Sequence, residues 1–133
     1  MRPLALALAL PLLACGQDQA RREEAGRMVE HIDTLIMMDR REKAAALQRL
    51  QNAPCTLPDV CEARRACGEA FAPVVEAARL QLEARALLDQ HDPALSAQID
   101  ARLDEAEKKQ AQARKLQDTC ISATTQLRQA YRL

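Results

Sequence analysis

The residues able to do chemistry in this chain are mostly cysteines. Cys55, Cys61 and Cys67 recur every six residues, and Cys120 stands alone much later. Four such thiols can close disulfides or hold a metal. Zinc sites favour Cys-x2-Cys pairs and haem attachment needs Cys-x-x-Cys-His, and neither pattern occurs here. An even thiol count in an exported domain therefore reads as disulfides. The remaining inventory is poor. Ser96 and Ser122 are the only serines, and each is expected in a helix that carries no histidine. His31, beside Glu24, Arg27 and Glu30, reads as a surface or boundary side chain, and His91 falls in a different third of the chain. Gly16, Gly26 and Gly68 stand singly, so no glycine-rich phosphate loop exists. No catalytic residue, no metal site and no cofactor is expected, and the chain does not read as an enzyme.

A fifth cysteine, Cys15, closes an apolar run from Pro3 to Ala14 that follows the single charge of Arg2. The run is too short to cross a bilayer, which takes about 20 residues. A positive start, a short apolar stretch and a small residue at the cut describe a secretory signal peptide. Leu12-Leu13-Ala14-Cys15 resembles the lipobox of bacterial lipoprotein precursors, with Leu12, Ala14 and Cys15 at the matching positions and Leu13 bulkier than usual. The resemblance covers only the first sixteen residues. It implies removal of residues 1–14, diacylation of the Cys15 sulfur and N-acylation of the new terminus. Gly16 stands where many such families carry an inner-membrane retention Asp, which points to a lipid anchor in the outer membrane, facing the periplasm. The multiple acyl chains of such an anchor hold stably where a single chain does not.

Residues 15–133 suffice for one small domain. Without Arg2 the chain has 18 basic and 19 acidic residues, a net charge of −1. No field of one sign invites nucleic acid. Phe71 and Tyr131 are the only aromatics, so base-stacking platforms are missing too. Abundant Ala, Leu, Glu, Arg and Gln with little Gly is a long-helix composition, and no strand pattern appears.

The elements follow from apolar spacing. Met28, Val29, Ile32, Leu35 and Ile36 form one stripe, which lapses over Asp39-Arg40-Arg41-Glu42-Lys43 and resumes at Ala46, Leu47 and Leu50. One helix over about 18–52 is expected, ended by Asn52 and Pro54. A second helix over about 59–90 opens on Asp59-Val60-Cys61-Glu62, a capping-box pattern, and kinks at Pro73. His91-Asp92-Pro93 makes a turn in which Asp92 caps a third helix over about 93–131. That helix carries Leu95, Ile99, Leu103, Ala106, Ala113, Leu116, Cys120 and Leu127 on one side. The expected fold is all-α: an elongated, coiled-coil-like, up-down-up three-helix antiparallel bundle with disulfide staples.

Four cysteines allow three pairings. Cys67 lies in the Val60–Val74 stripe and faces a core that also holds Cys120, while Cys61 turns toward the loop holding Cys55. This favours Cys67–Cys120 with Cys55–Cys61; helix register alone leaves Cys61–Cys120 with Cys55–Cys67 open. With Cys15 at the membrane, the expected topology carries the Cys55 loop and the C-terminus to the far end. Thr56, Leu57, Pro58 and Tyr131 there are the candidate partner-contact residues. The leading functional expectation is a membrane-anchored envelope lipoprotein serving as a structural or protein-interaction module. The alternative is a small-ligand carrier with a site between helices near Pro73. The ending Tyr131-Arg132 resembles that of the murein lipoprotein family, but Leu133 replaces the Lys that family links to peptidoglycan, so no covalent peptidoglycan link is expected.

Overall fold

In the computed structural model the described residues are 12–133, with side chains from Gly16 onward; the expected lipidation site Cys15 and the expected signal peptide over 1–14 therefore lie outside the described side chains. The fold is all-helical, with no strand among the described residues. Four α-helices follow in order, α1 (Leu12–Met37), α2 (Lys43–Asn52), α3 (Pro58–Leu88) and α4 (Ser96–Tyr131), with a 3-10 turn at Pro93–Leu95 leading into α4.

The single helix expected over 18–52 is two helices, and the three-helix bundle is corrected accordingly. The chain reverses at 38–42, where the apolar stripe lapses. Asp39 holds the turn that leads into α2: its carboxylate accepts from the Arg41 amide at 2.9 Å and the Glu42 amide at 3.3 Å, and its carbonyl accepts from the Lys43 amide. Lys43 closes the old helix by donating from Nζ to the carbonyls of Leu35, Ile36 and Met38 at 2.8–3.1 Å. A helix end leaves such groups unpaired unless a side chain or water meets them. Asp39 and Lys43 meet both ends at once, so the reversal is stable.

α3 and α4 form a long antiparallel hairpin, and α3 runs through Pro73 unbroken. Its register shows in three links: Tyr131 to Asp59, Cys67 to Cys120, and Arg102 to Glu83 at 3.0 Å. At the hinge Asp92 accepts from the Ala94 amide at 2.9 Å, as its capping role requires, and His91 adopts positive φ. The capping box at 59–62 is not formed. Helix α3 already begins at Pro58, Asp59 accepts from its neighbour Val60, and Glu62 pairs with Arg65.

The hairpin is covered along only half its length. Met28, Ile32 and Leu35 of α1 and Leu47 and Leu50 of α2 pack with Val60, Cys67, Cys120 and Leu127 in one continuous core. Beyond the 38–42 reversal the residues buried between α3 and α4 are mostly small, with Ala77, Leu80 and Ala106 in a minor cluster and Ala84 further out. Two helices can bury only the strip between them. Leu103, expected in the core, is consequently 46% exposed, alongside Leu82 and Leu88. The molecule is a four-helix head with a two-helix arm; from Val74 to Leu88 the arm extends about 20 Å at 1.5 Å per residue.

Candidate functional site

The disulfides lie in the head. Cys55 pairs with Cys61 and Cys67 with Cys120, with Cα–Cα distances of 5.3 and 4.6 Å. The second bridge is in the core, where the buried Thr124 hydroxyl donates to the Cys120 carbonyl at 2.8 Å. Thr56, Leu57, Pro58 and Tyr131 do come together at this end, but most of their polar groups are engaged internally. Glu24 accepts from the Thr56 hydroxyl and amide, both at 2.6 Å, and from the Leu57 amide at 2.9 Å. The Tyr131 hydroxyl donates to the Asp59 carboxylate at 2.9 Å. These bonds hold the Glu24 carboxyl below its usual range, chiefly through the Thr56 hydroxyl, and raise the Tyr131 phenol through desolvation and then the Asp59 contact.

The same bonds overturn the expected placement of this end. Glu24 sits nine residues past Cys15 in α1 and touches the Cys55 loop directly. Arg22 donates to the Arg132 carbonyl at 2.7 Å, placing a cation on the C-terminus of α4, where the helix dipole favours it. Because α2 folds back along α1, the start of α1, the disulfide loop and the C-terminus share one end. The His91 turn is the remote tip.

A different place has the shape of a site. Where the head stops and the arm begins, a cleft of 310 Å³ opens, near the lower limit of ordinary ligand pockets. Its apolar floor comes from Phe71, Val74 and four alanines, Ala70, Ala77 and Ala78 of α3 and Ala113 of α4. Small side chains on facing helices leave the room. Arg40 and Lys43 stand on the reversal side, and Gln81, Gln110, Arg114 and Gln117 on the hairpin side; no carboxylate lines the cleft. Arg40 donates to the Gln81 side-chain carbonyl at 3.1 Å, which fixes the rim. Lys43 spends its donors on backbone carbonyls and lies 5.9 Å from the Phe71 ring centroid, so it contributes charge and not a free donor. Desolvation lowers its pKa, against the pull of Asp39.

Sequence reading missed this constellation. Arg40 lies among acids in sequence and reads as part of a solvated face. A usable signal was the acid-free stretch from Lys108 to Gln117, with Lys108, Lys109, Arg114 and Lys115. Among the described residues no group of His, Cys, Asp and Glu could hold a metal ion, and no helix is long and apolar enough to cross a membrane. No family model, curated protein or solved structure matches the chain.

Proposed function

We propose that this chain is an envelope lipoprotein whose work is to contact another protein through its arm. The observation that carries this reading is the uncovered α3–α4 hairpin, whose Leu82, Leu88 and Leu103 are each about half exposed. Leucines left half exposed where only two helices pack give a partner apolar surface to cover. The lipobox supports the anchor. Acylated Cys15 lies three residues before Asp18, which borders Tyr131, so the disulfide end would sit against the bilayer. The arm would then point away from the membrane, its His91 tip foremost. Gly16 supports the outer membrane as the location. The bonds of Glu24 and Asp59 then serve to close the membrane-proximal end, in place of the partner surface expected at Thr56, Leu57, Pro58 and Tyr131. Photo-crosslinking amino acids at Leu88, Leu103 and Thr56 in living cells test this. Adducts to one protein from the two arm positions and none from Thr56 support the reading; adducts from Thr56 alone overturn it. Cys15→Ala should release the protein from the membrane fraction or leave it uncleaved.

A second reading, a small-ligand carrier, is favoured by the cleft between the 38–42 reversal and the hairpin, although Pro73 itself lines a different depression with Glu69 and Glu76. The cleft has the apolar floor and convergent polar rim that a binding pocket needs.

A further inference from the structure

Building on the carrier reading, we infer that the cleft between the 38–42 reversal and the arm takes an amphipathic anion with one aliphatic chain, its carboxylate or phosphate head held by Arg40 and Arg114. Three features meet there. The floor is a continuous apolar surface of Phe71, Val74 and alanines, which a chain would cover and remove from water. The rim holds three cations and no carboxylate, although acids and bases are nearly equal in number along the chain, so the imbalance is local. The donors are also available. Arg114 makes no hydrogen bond or ion pair among the described residues, and Arg40 uses one guanidinium nitrogen on Gln81 and keeps the rest. Guanidinium groups match carboxylate and phosphate oxygens with paired N–H donors, in a way a saturated lysine cannot. Lys43, locked on the carbonyls of the reversal, adds a fixed positive charge behind them.

A neutral or cationic amphiphile would meet the same floor but an opposing rim, so head charge is the discriminating property. A fatty acid and an alkyl phosphate present the same chemistry to the two arginines.

The experiment uses the full-length chain carrying Cys15→Ser, which keeps acyl groups out of the assay. Dansyl-labelled undecanoate is the fluorescent probe; dodecanoate, dodecyl phosphate and dodecyltrimethylammonium are competitors. The two anions should displace the probe, and the ammonium amphiphile should be weaker by about tenfold or more, the equivalent of about 1.4 kcal/mol. Arg40→Gln with Arg114→Gln should weaken the probe by about tenfold at unchanged melting temperature, since both side chains are exposed. Lys115→Gln, an exposed neighbour outside the lining, should leave it unchanged. Equal binding of both head charges, or full affinity in the double arginine variant, overturns the anion inference while leaving a carrier of apolar chains standing. Failure of every amphiphile to bind overturns both. If only dodecyl phosphate or only dodecanoate competes, the inference holds and the source of the head group is decided.

Discussion

Glu24 holds Thr56 at two points, accepting from its hydroxyl and its amide at 2.6 Å each, and so ties α1 to the loop that opens α3. The Leu57 amide bonds to the same carboxylate just before the helix begins at Pro58. The carboxylate therefore meets the Leu57 N-cap amide from another helix, as the N3 acid of a capping box does locally, and it places negative charge near the positive end of α3.

This contact should be visible in the pH dependence of stability. A carboxyl whose folded pKa lies below its unfolded value contributes stability above the unfolded value, here about 4.5, and loses it as pH falls through the folded value. Glu24→Gln should cost about 1 kcal/mol at neutral pH, the typical worth of a cap after allowance for solvent around an accessible pair. Below the folded pKa the two proteins should converge. Urea unfolding at neutral pH and in acid measures both; a constant gap at every pH would assign the loss to shape and not to charge.

Lys43 should matter more than its surface position suggests. Lys43→Met keeps the stem over Phe71 but leaves the carbonyls of Leu35, Ile36 and Met38 without their shared donor. The expected cost is about 1–2 kcal/mol, the range for losing hydrogen bonds at a partly buried helix end. Hydrogen exchange should speed up around the reversal while the Cys67–Cys120 region stays protected. Uniform acceleration would mean that the head is a single cooperative unit.

The sequence was legible where a local rule had one answer. Cysteine facing indicated the pairing that the structure has, and Asp92-Pro93 marked the turn into α4. Asp39-Arg40-Arg41-Glu42 carries the same D-x-x-E signature as Asp59–Glu62, yet only in the first does the Asp side chain accept from the amides two and three residues on, in the turn that leads into α2. The difference lies in context: Lys43 can reach back to close α1, whereas Pro58 has already opened α3 with its fixed φ. Once the reversal is missed, every later direction inverts, and the Cys55 loop goes to the wrong end. Leu103 was misplaced for another reason. Apolar periodicity reports which face of a helix is apolar, not how many helices cover it, so a two-helix arm and a full bundle look alike in sequence.

The two disulfides should contribute unequally. Cys67–Cys120 closes a separation of 53 residues and Cys55–Cys61 one of 6. Loop-closure entropy then assigns about 4 kcal/mol to the long bridge and about 2 kcal/mol to the short one. Replacing each pair by alanines and comparing urea midpoints should reproduce that order. The long-bridge variant should lose more for a second reason, because both its cysteines are buried in the core that joins the hairpin to α1 and α2. The short-bridge variant should keep its core but loosen the loop carrying Thr56. A larger loss from the short bridge would mean that the loop, and not the hairpin, controls folding of the head.

Two glycines offer a test with the opposite sign. Gly26 lies inside α1 and Gly68 inside α3, both at negative φ, so neither is required by the backbone. A methyl at Gly68 would lie 3.7 Å from the Gln51 side chain, and one at Gly26 would lie 3.8 Å from the Leu133 side chain. Both are ordinary contacts, with a flexible side chain on the far side. Glycine in a helix interior costs about 0.5–1 kcal/mol relative to alanine, because it gives up more backbone freedom on folding. Gly68→Ala and Gly26→Ala should each stabilise by about that amount, with thermal melts shifting upward. The sites are on different helices with different neighbours, so the double variant should be close to additive. Destabilisation by Gly68→Ala alone would show that α2 packs on α3 more tightly than the 3.7 Å contact allows, and the head would then depend on that close approach.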